Sequence, residues 1–350
     1  MAALMLLPQM DINRRRAMRR ERVFRDRLHP LDTYNDLELY QRYRFDRGII
    51  LDLANVIREN LEPDTNRTHA LPCELKLLVS LRLFASGSFQ QVAGDTVQIS
   101  QPTMCRVLWQ VTEALLSLMG RVICFPSQQE MGNIVNEFYD IAHFPAVVGC
   151  VDGTHIWILG PSDHEWRYIN RKHYYSINTQ VVLDSRARFI NIVAKWPGST
   201  HDSVILRESR LAELMEERRG NEVLLGDSGY PVRSWLMTPF LNPNTVPEQR
   251  YNRAHKRTRS LVERGIGQWK RRFHCLHGQL RYTPRKACEI ITVCAILHNI
   301  VIDRGLPDFD EQPPIEHQPQ PDVDQENVVA LPDRFTGAGV RNQLVNQHFA

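Results

Sequence analysis

Three acidic residues stand where a carboxylate could do chemistry: Asp152 in VVGCVDGTH, Asp227 in EVLLGDSGY and Glu263 in RSLVERGIGQW. Asp152 ends or interrupts an apolar, β-rich run, where an uncompensated charge is costly. Asp227 closes a second such run. A glycine follows each, at once or after Ser228. The backbone is therefore expected to turn away and leave the carboxylate at the sheet edge, where ligands of open sheets bind. Glu263 borders a helical stripe of Val262, Ile266, Trp269 and Phe273, so it is expected to point at the same edge. Carboxylates converging on one point repel unless a cation lies between them. Mg²⁺ or Mn²⁺ suits oxygen ligands, and a pair of such ions can hold the attacking and leaving oxygens of a phosphodiester. The plainer readings are a turn residue at each strand end and an Arg259–Glu263 ion pair at i,i+4. Asp202, in PGSTHDSVIL, is either a fourth ligand or the N-cap of the next helix.

Around Glu263 the chain is basic. Arg259, Arg264, Lys270, Arg271 and Arg272 are expected to contact phosphate, with salt-dependent affinity. His155 and His201 flank proposed ligands and read as satisfied structural histidines. A phosphohydrolase built on His201–Asp202 would need further histidines that the sequence does not place. Cys294 and His298 share a helix face but lack a second half-site, so they read as core. Trp166, Tyr168, Tyr174 and Tyr175 also read as core, with stacking on an unpaired base as the alternative.

Two kinds of element must position these residues. From about residue 145, FPAVVGCVDGTHIWI, INTQVVLD and FINIVAKWPG read as strands, the last two as a hairpin. HDSVILRESRLAELMEERRG reads as one helix ending at Gly220, NEVLLGDSGYP as a further strand, and residues 247–273 and 284–303 as helices. Three strands, a helix, a strand and then helices make an α/β fold, a mixed sheet flanked by helices. Residues 35–130 read as all-helical. Within them LPCELKLLVSLRLFAS, FQQVAGD and a helix opening at Ser100-Gln101-Pro102 follow the helix-turn-helix layout. Gln101, Thr103 and Arg106 would then face DNA; the plainer reading is a bundle packed on the next unit.

Bulk composition bounds the answer. The 350 residues are 43% hydrophobic and 24% charged, with a net charge of +3. That balance supports a real core, and no apolar run has the length of a membrane span. Seven scattered cysteines without a CxxC pair fit a reducing compartment and not a zinc ribbon. The opening MAALMLLPQM lacks a basic n-region and does not read as a signal peptide. Charge is segregated, with an arginine-rich arm in 1–34 and an acidic, proline-rich tail over 306–350 that is expected to be mostly disordered.

With these residues in hand, the sequence resembles the DDE-type transposases of the PIF/Harbinger class and their domesticated, nuclease-type descendants. CVDGTHI resembles the family's first-Asp motif, LLGDSGYP the second, and RSLVERGIGQWKRRF the Glu motif; 35 residues separate Asp227 from Glu263. Arg259, Glu263 and Lys270 also echo the Tyr-Arg-Glu-Lys signature of bacterial insertion-sequence transposases, although Lys256 replaces its tyrosine. The resemblance spans roughly 145–303. It implies a ribonuclease-H-like fold, divalent-metal dependence and DNA strand cleavage by Asp152, Asp227 and Glu263. It also implies a Myb/SANT-like DNA-binding partner and a nuclear location with a cytoplasmic pool in the partner's absence. The alternative is a catalytically silent DNA-binding or scaffold protein. Homo-oligomerisation stays open.

Overall fold

The protein folds around a five-stranded mixed sheet whose strand order is β3-β2-β1-β4-β5. A computed structural model describes residues 29–61, 70–218, 220–309 and 336–350; the arginine-rich arm up to residue 28 and the tail over 310–335 lie outside the described residues. β1 (Val147–Trp157), β2 (Ser176–Leu183) and β3 (Phe189–Pro197) form an antiparallel meander. β4 (Val223–Leu225) and β5 (Leu236–Met237) add parallel to the other edge of β1. This is the mixed, helix-flanked sheet of a ribonuclease-H-like fold, as the resemblance implies.

The helices of six or more residues, in chain order, are α1 (Asp36–Tyr43), α2 (Arg47–Leu61), α3 (Cys73–Ser86), α4 (Gln90–Asp95), α5 (Gln101–Leu116), α6 (Gln128–Ala142), α7 (Asp202–Arg207), α8 (Arg210–Glu217), α9 (Val246–Arg272), α10 (Pro284–Asp303) and α11 (Thr336–His348). Both faces of the sheet are covered, which is why every residue of β2 is buried and β2 shows no polar alternation. On one face α9 and α10 pack their apolar stripes, including Val262, Ile266, Trp269 and Phe273. On the other, Leu206, Leu211, Ala212 and Met215 of α7 and α8 pack on Val148, Val151 and Leu224.

Three boundaries differ from the sequence reading, and each has a local cause. Within the stretch read as all-helical, the chain divides at Arg44, whose left-handed backbone (φ 71°) ends α1. Arg44 is buried, and its Nε donates to the Arg272 carbonyl at 2.9 Å. The helix expected through to Gly220 divides at Ser209, whose hydroxyl donates back to the Leu206 carbonyl at 2.6 Å. The tail expected to be mostly disordered from 306 onward returns as α11, with Leu344, Val345 and Phe349 buried. Phe349 packs on Phe144 and Tyr251 at ring-centroid distances of 5.6 Å each.

The helix-turn-helix layout is present as α3–α4–α5. It does not form a separate unit, because Leu78, Phe84, Met104 and Leu108 belong to the same apolar core as Trp269 and Ile290. α5 packs against α2, α3, α4 and α10. Ser100 makes no backbone cap; its hydroxyl bonds Thr103 Oγ1 at 3.0 Å. Among the described residues no helix is long and apolar enough to cross a membrane.

Two histidines inside this core set an acid limit. His298 Nε2 donates to the Ala187 carbonyl at 3.1 Å and His255 Nε2 to the Met237 carbonyl at 3.1 Å. Burial lowers His298 to about 3 and His255 to about 4. Both are therefore neutral in the folded chain, whereas in the unfolded chain they titrate near 6.5. Their contribution is complete above that value and is lost as pH falls towards the folded values, at about 1.4 kcal/mol per pH unit for each histidine. We expect chemical denaturation of His298→Asn, compared with wild type between about pH 5.5 and 4.5, to show a slope shallower by about that amount. An unchanged slope would mean that His298 is protonated in the fold.

Candidate active site

The sheet register brings two of the three acids together. β1 and β4 pair in parallel as far as Cys150 and Leu225. Asp152 and Asp227 each follow that last pair by two residues, on adjacent strands. Of the two sequence readings of Asp152, ending or interrupting its run, the first does not hold; β1 runs on to Trp157 against β2. β4 stops and β1 does not, so the β4-side edge of β1 lies open from Asp152 onward until Leu280 bridges to Ile158. The carboxylates stand at that opening.

Gly153 has a different task from the one expected. The chain does not turn there. A Cβ at Gly153 would sit 2.6 Å from Asp202 Oδ1, so the missing side chain is what lets the Asp202 carboxylate close on β1. Glycine within a strand often marks such an approach. Asp202 is not the N-cap of α7. His201 is the cap, its Nδ1 accepting from the Ser203 amide at 3.2 Å. Asp202 is instead held by Asn178 of β2, whose Nδ2 donates to Asp202 Oδ1 at 2.7 Å and to the Thr200 carbonyl at 2.9 Å. The His201 ring is thus engaged in the cap, and a phosphohydrolase centred on it finds no support.

Arg259 joins the remaining acid to the pair. Its guanidinium reaches Asp152 Oδ2 at 3.5 Å and also donates to Glu263 Oε1, one turn along α9. Glu263 is half exposed (54%) while Arg259 is mostly covered (18%). The plainer sequence reading of Glu263 is observed: it makes the i,i+4 pair, and the same arginine reaches Asp152. Arg259, expected on phosphate, is occupied by carboxylates.

The electrostatics are those of crowded acids. Burial pushes Asp152 up to about 7; Arg259 opposes this, while Asp227 and Glu263 add to it. Burial also raises Asp227, with Arg259 and the Gly229 amide opposing and Asp202 adding. Tyr230, in the turn after Asp227, is raised by burial and then by Asp202, Asp152 and Asp227. Its buried hydroxyl has no hydrogen-bond partner. Among the described residues no three His, Cys, Asp or Glu side chains stand in metal-holding geometry; Arg259 bridges Asp152 and Glu263 instead.

The basic residues divide. Arg264 and Arg271 are exposed. Lys270 is drawn onto β1, its Nζ donating to Thr154 Oγ1 at 2.8 Å and to the His155 carbonyl at 3.1 Å. Arg272 is a correction: it is 3% exposed and bonds the Pro307 carbonyl at 2.8 Å and the Tyr40 hydroxyl at 3.3 Å. It anchors the chain after α10 and cannot meet DNA from there. Gln101 and Arg106 are exposed and Thr103 half-buried at the start of α5. Of the four aromatic residues expected in the core, Tyr168 and Tyr175 pack against it, but Trp166 is 67% exposed. Cys294 and His298 are core, as expected.

Three residues at this site escaped the sequence reading: Asn178, the spacing role of Gly153, and Tyr230. A glycine directly after an acid inside a strand-like run was a usable signal. Nothing local marks Asn178, which is polar in a strand buried on both faces.

Comparison with known proteins agrees with this geometry. A family profile described as a DDE superfamily endonuclease matches residues 151–299. The chain is 36% identical over 325 residues to the "Putative nuclease HARBI1" of Mus musculus, covering 91% of this chain and 93% of that one. It is equally similar to the Homo sapiens protein of that name, 36% over 329 residues with the same coverage. It is 30% identical over 258 residues to "Protein ALP1-like" of Arabidopsis thaliana, covering 68% of this chain and 63% of that one. No solved structure gives a significant match. A β1–β4 pair of aspartates, a glutamate one helix away in the matched region and this identity over nine-tenths of the chain place it in the Harbinger-derived nuclease family of DDE endonucleases.

Proposed function

We propose that the chain is an endonuclease that hydrolyses DNA phosphodiester bonds, with Asp152, Asp227 and Glu263 as catalytic acids and a divalent cation, Mg²⁺ or Mn²⁺, as cofactor. The observation that supports it most is the level placement of Asp152 and Asp227 at the open edge of β1, with Asp202 admitted beside them by Gly153. The donor set is entirely hard oxygen, which suits these ions. Burial raises both Asp152 and Asp227, Arg259 opposes this, and neighbouring carboxylates add to the rise, as expected where acids crowd a site meant for positive charge. Asp152, Asp227, Asp202 and Glu263 would hold the cation, which supplies an acidified water and charge neutralisation at the phosphate.

The chain's own residues do the rest. Asn178 orients Asp202, and the Gly229 amide orients Asp227. Arg259 offsets the negative charge and keeps Asp152 and Glu263 within reach of one guanidinium. Exposed Arg264 and Arg271 on α9, and Gln101, Thr103 and Arg106 on α5, are the DNA contacts of this reading. A Myb/SANT-like partner that reads the DNA ends, and residence in the nucleus, belong to it too. A second reading, a catalytically silent scaffold, draws on the Arg259 bridge, because a guanidinium already answers the acids' repulsion.

The two readings part in a nicking assay with purified protein, Mn²⁺ and end-containing DNA. We expect wild type to nick and Asp227→Ala to lose nicking while still shifting DNA on a gel; if both behave alike with the partner present, the scaffold reading stands. Asn178→Ala should slow nicking by roughly 10–100-fold through loss of ligand orientation. Gly153→Ala should slow it as well, since its methyl group displaces Asp202. Wild-type rates in both variants would remove Asp202 from the site.

A further inference from the structure

A cavity of about 330 Å³ opens beside the carboxylates, walled by His155, Trp157, Tyr174, Lys270, Leu276 and His277. We infer that this cavity receives an unpaired base of the DNA strand whose backbone lies at the carboxylates. The inference rests on the nuclease reading for its ligand, and on four features of the cavity for its chemistry.

The first is position. His155 follows Asp152 by three residues on the same extended strand, about 10 Å away or one or two nucleotides; its side chain leaves the opposite face, but Lys270 of the cavity wall bonds Thr154, which shares the face of Asp152. A strand of DNA with a phosphate at Asp152 therefore carries its neighbouring base past this opening. The second is the wall. Trp157 is 44% exposed at the end of a strand that is otherwise covered. It meets Tyr174 edge-on, with ring centroids 6.2 Å apart and planes at 61°. Two preset rings, one with an open face, suit a base, since base–aromatic stacking does not depend on sequence.

The third is charge. Lys270 is held in the wall by Thr154 and the His155 carbonyl. Burial disfavours protonation of the His155 ring, Asp202 opposes this, and Lys270, Lys172 and Arg171 add to it, so three cations lie near the opening. No acid is among the wall residues. Aromatic rings beside cations are the composition of single-stranded nucleic-acid sites. The fourth is size. The volume lies at the low end of the roughly 300–1,000 Å³ of ligand pockets, enough for one ring system and not for an extended chain.

The test uses the full chain without divalent metal and three fluorescent probes: a blunt duplex, the same duplex with a single-stranded adenine tail, and the same duplex with an abasic tail. The abasic tail keeps the phosphates and removes the bases. Wild type should bind the adenine tail more tightly than the abasic tail by about 5- to 150-fold, the range expected for one stacked base. Trp157→Ala and, independently, Tyr174→Ala should bring that ratio towards one, and Trp157→Phe should retain most of it. If wild type treats the adenine and abasic tails alike, or if both alanine variants keep the preference, the inference is overturned. Nicking is scored separately on the same protein. Nicking without an adenine preference sinks the cavity alone; an adenine preference without nicking sinks the nuclease reading alone.

Discussion

Like charges drawn together at a half-buried sheet edge must be held there, and the site of this protein is organised around that constraint. Asp152 and Asp227 follow the last β1–β4 pair by the same two residues, Asp202 closes from α7, and Glu263 is tied in from α9 through Arg259. Left alone, such acids would repel or take up protons. Arg259 holds them as the chain stands, reaching Asp152 and Glu263 together. A hard divalent cation would meet the same demand with different chemistry. The arginine and the cation thus compete for one role, so the placement of Arg259 bears directly on whether the site cuts or only binds.

The unequal lengths of two neighbouring strands create the opening in which this happens. β4 has three residues and β1 eleven. Where β4 ends, β1 keeps its ladder with β2 and leaves its other edge unpaired. Exposed strand edges are normally covered or blunted. Here α9 lies across the sheet, and Lys270 bonds Thr154 and the His155 carbonyl beside that edge. The opening ends where Leu280 pairs beside Trp157 and Ile158, and the aromatic cavity lies at that end, so the acids and the cavity lie along one strand.

The surrounding structure behaves as support for α9. The helical region before residue 130 packs into the same core as the sheet. Arg272 ties the C-terminal end of α9 to Tyr40 and Pro307, while α11 packs near its N-terminal end through Phe349 and Tyr251. Glu263 and Arg259 lie between those two anchors. A 27-residue helix held at both ends can place their side chains on the sheet with little freedom.

Much of this was legible from residue order. Periodicity marked the buried stripe of α9, apolar runs bounded by turn residues marked four of the five strands, and motif order marked Asp152, Asp227 and Glu263. Helix α6 has a local signature as well: Ser127 and Glu130 form a capping box, the spacing that opens helices. What the tertiary structure decided are the relations between distant elements. The Asp202 carboxylate meets Gly153 and Asn178 only because α7 folds back over β1 and β2. Arg272 is buried only because the chain after α10 returns across α9. Tyr230 is surrounded by acids only once β4 lies beside β1. The sequence by itself determined which residues are acidic, which segments are apolar and with what period, because those are local properties. Long-range packing decided which acids meet, which arginine answers them and which basic residues remain open to solvent, because proximity between residues far apart in the chain is set by how the layers stack.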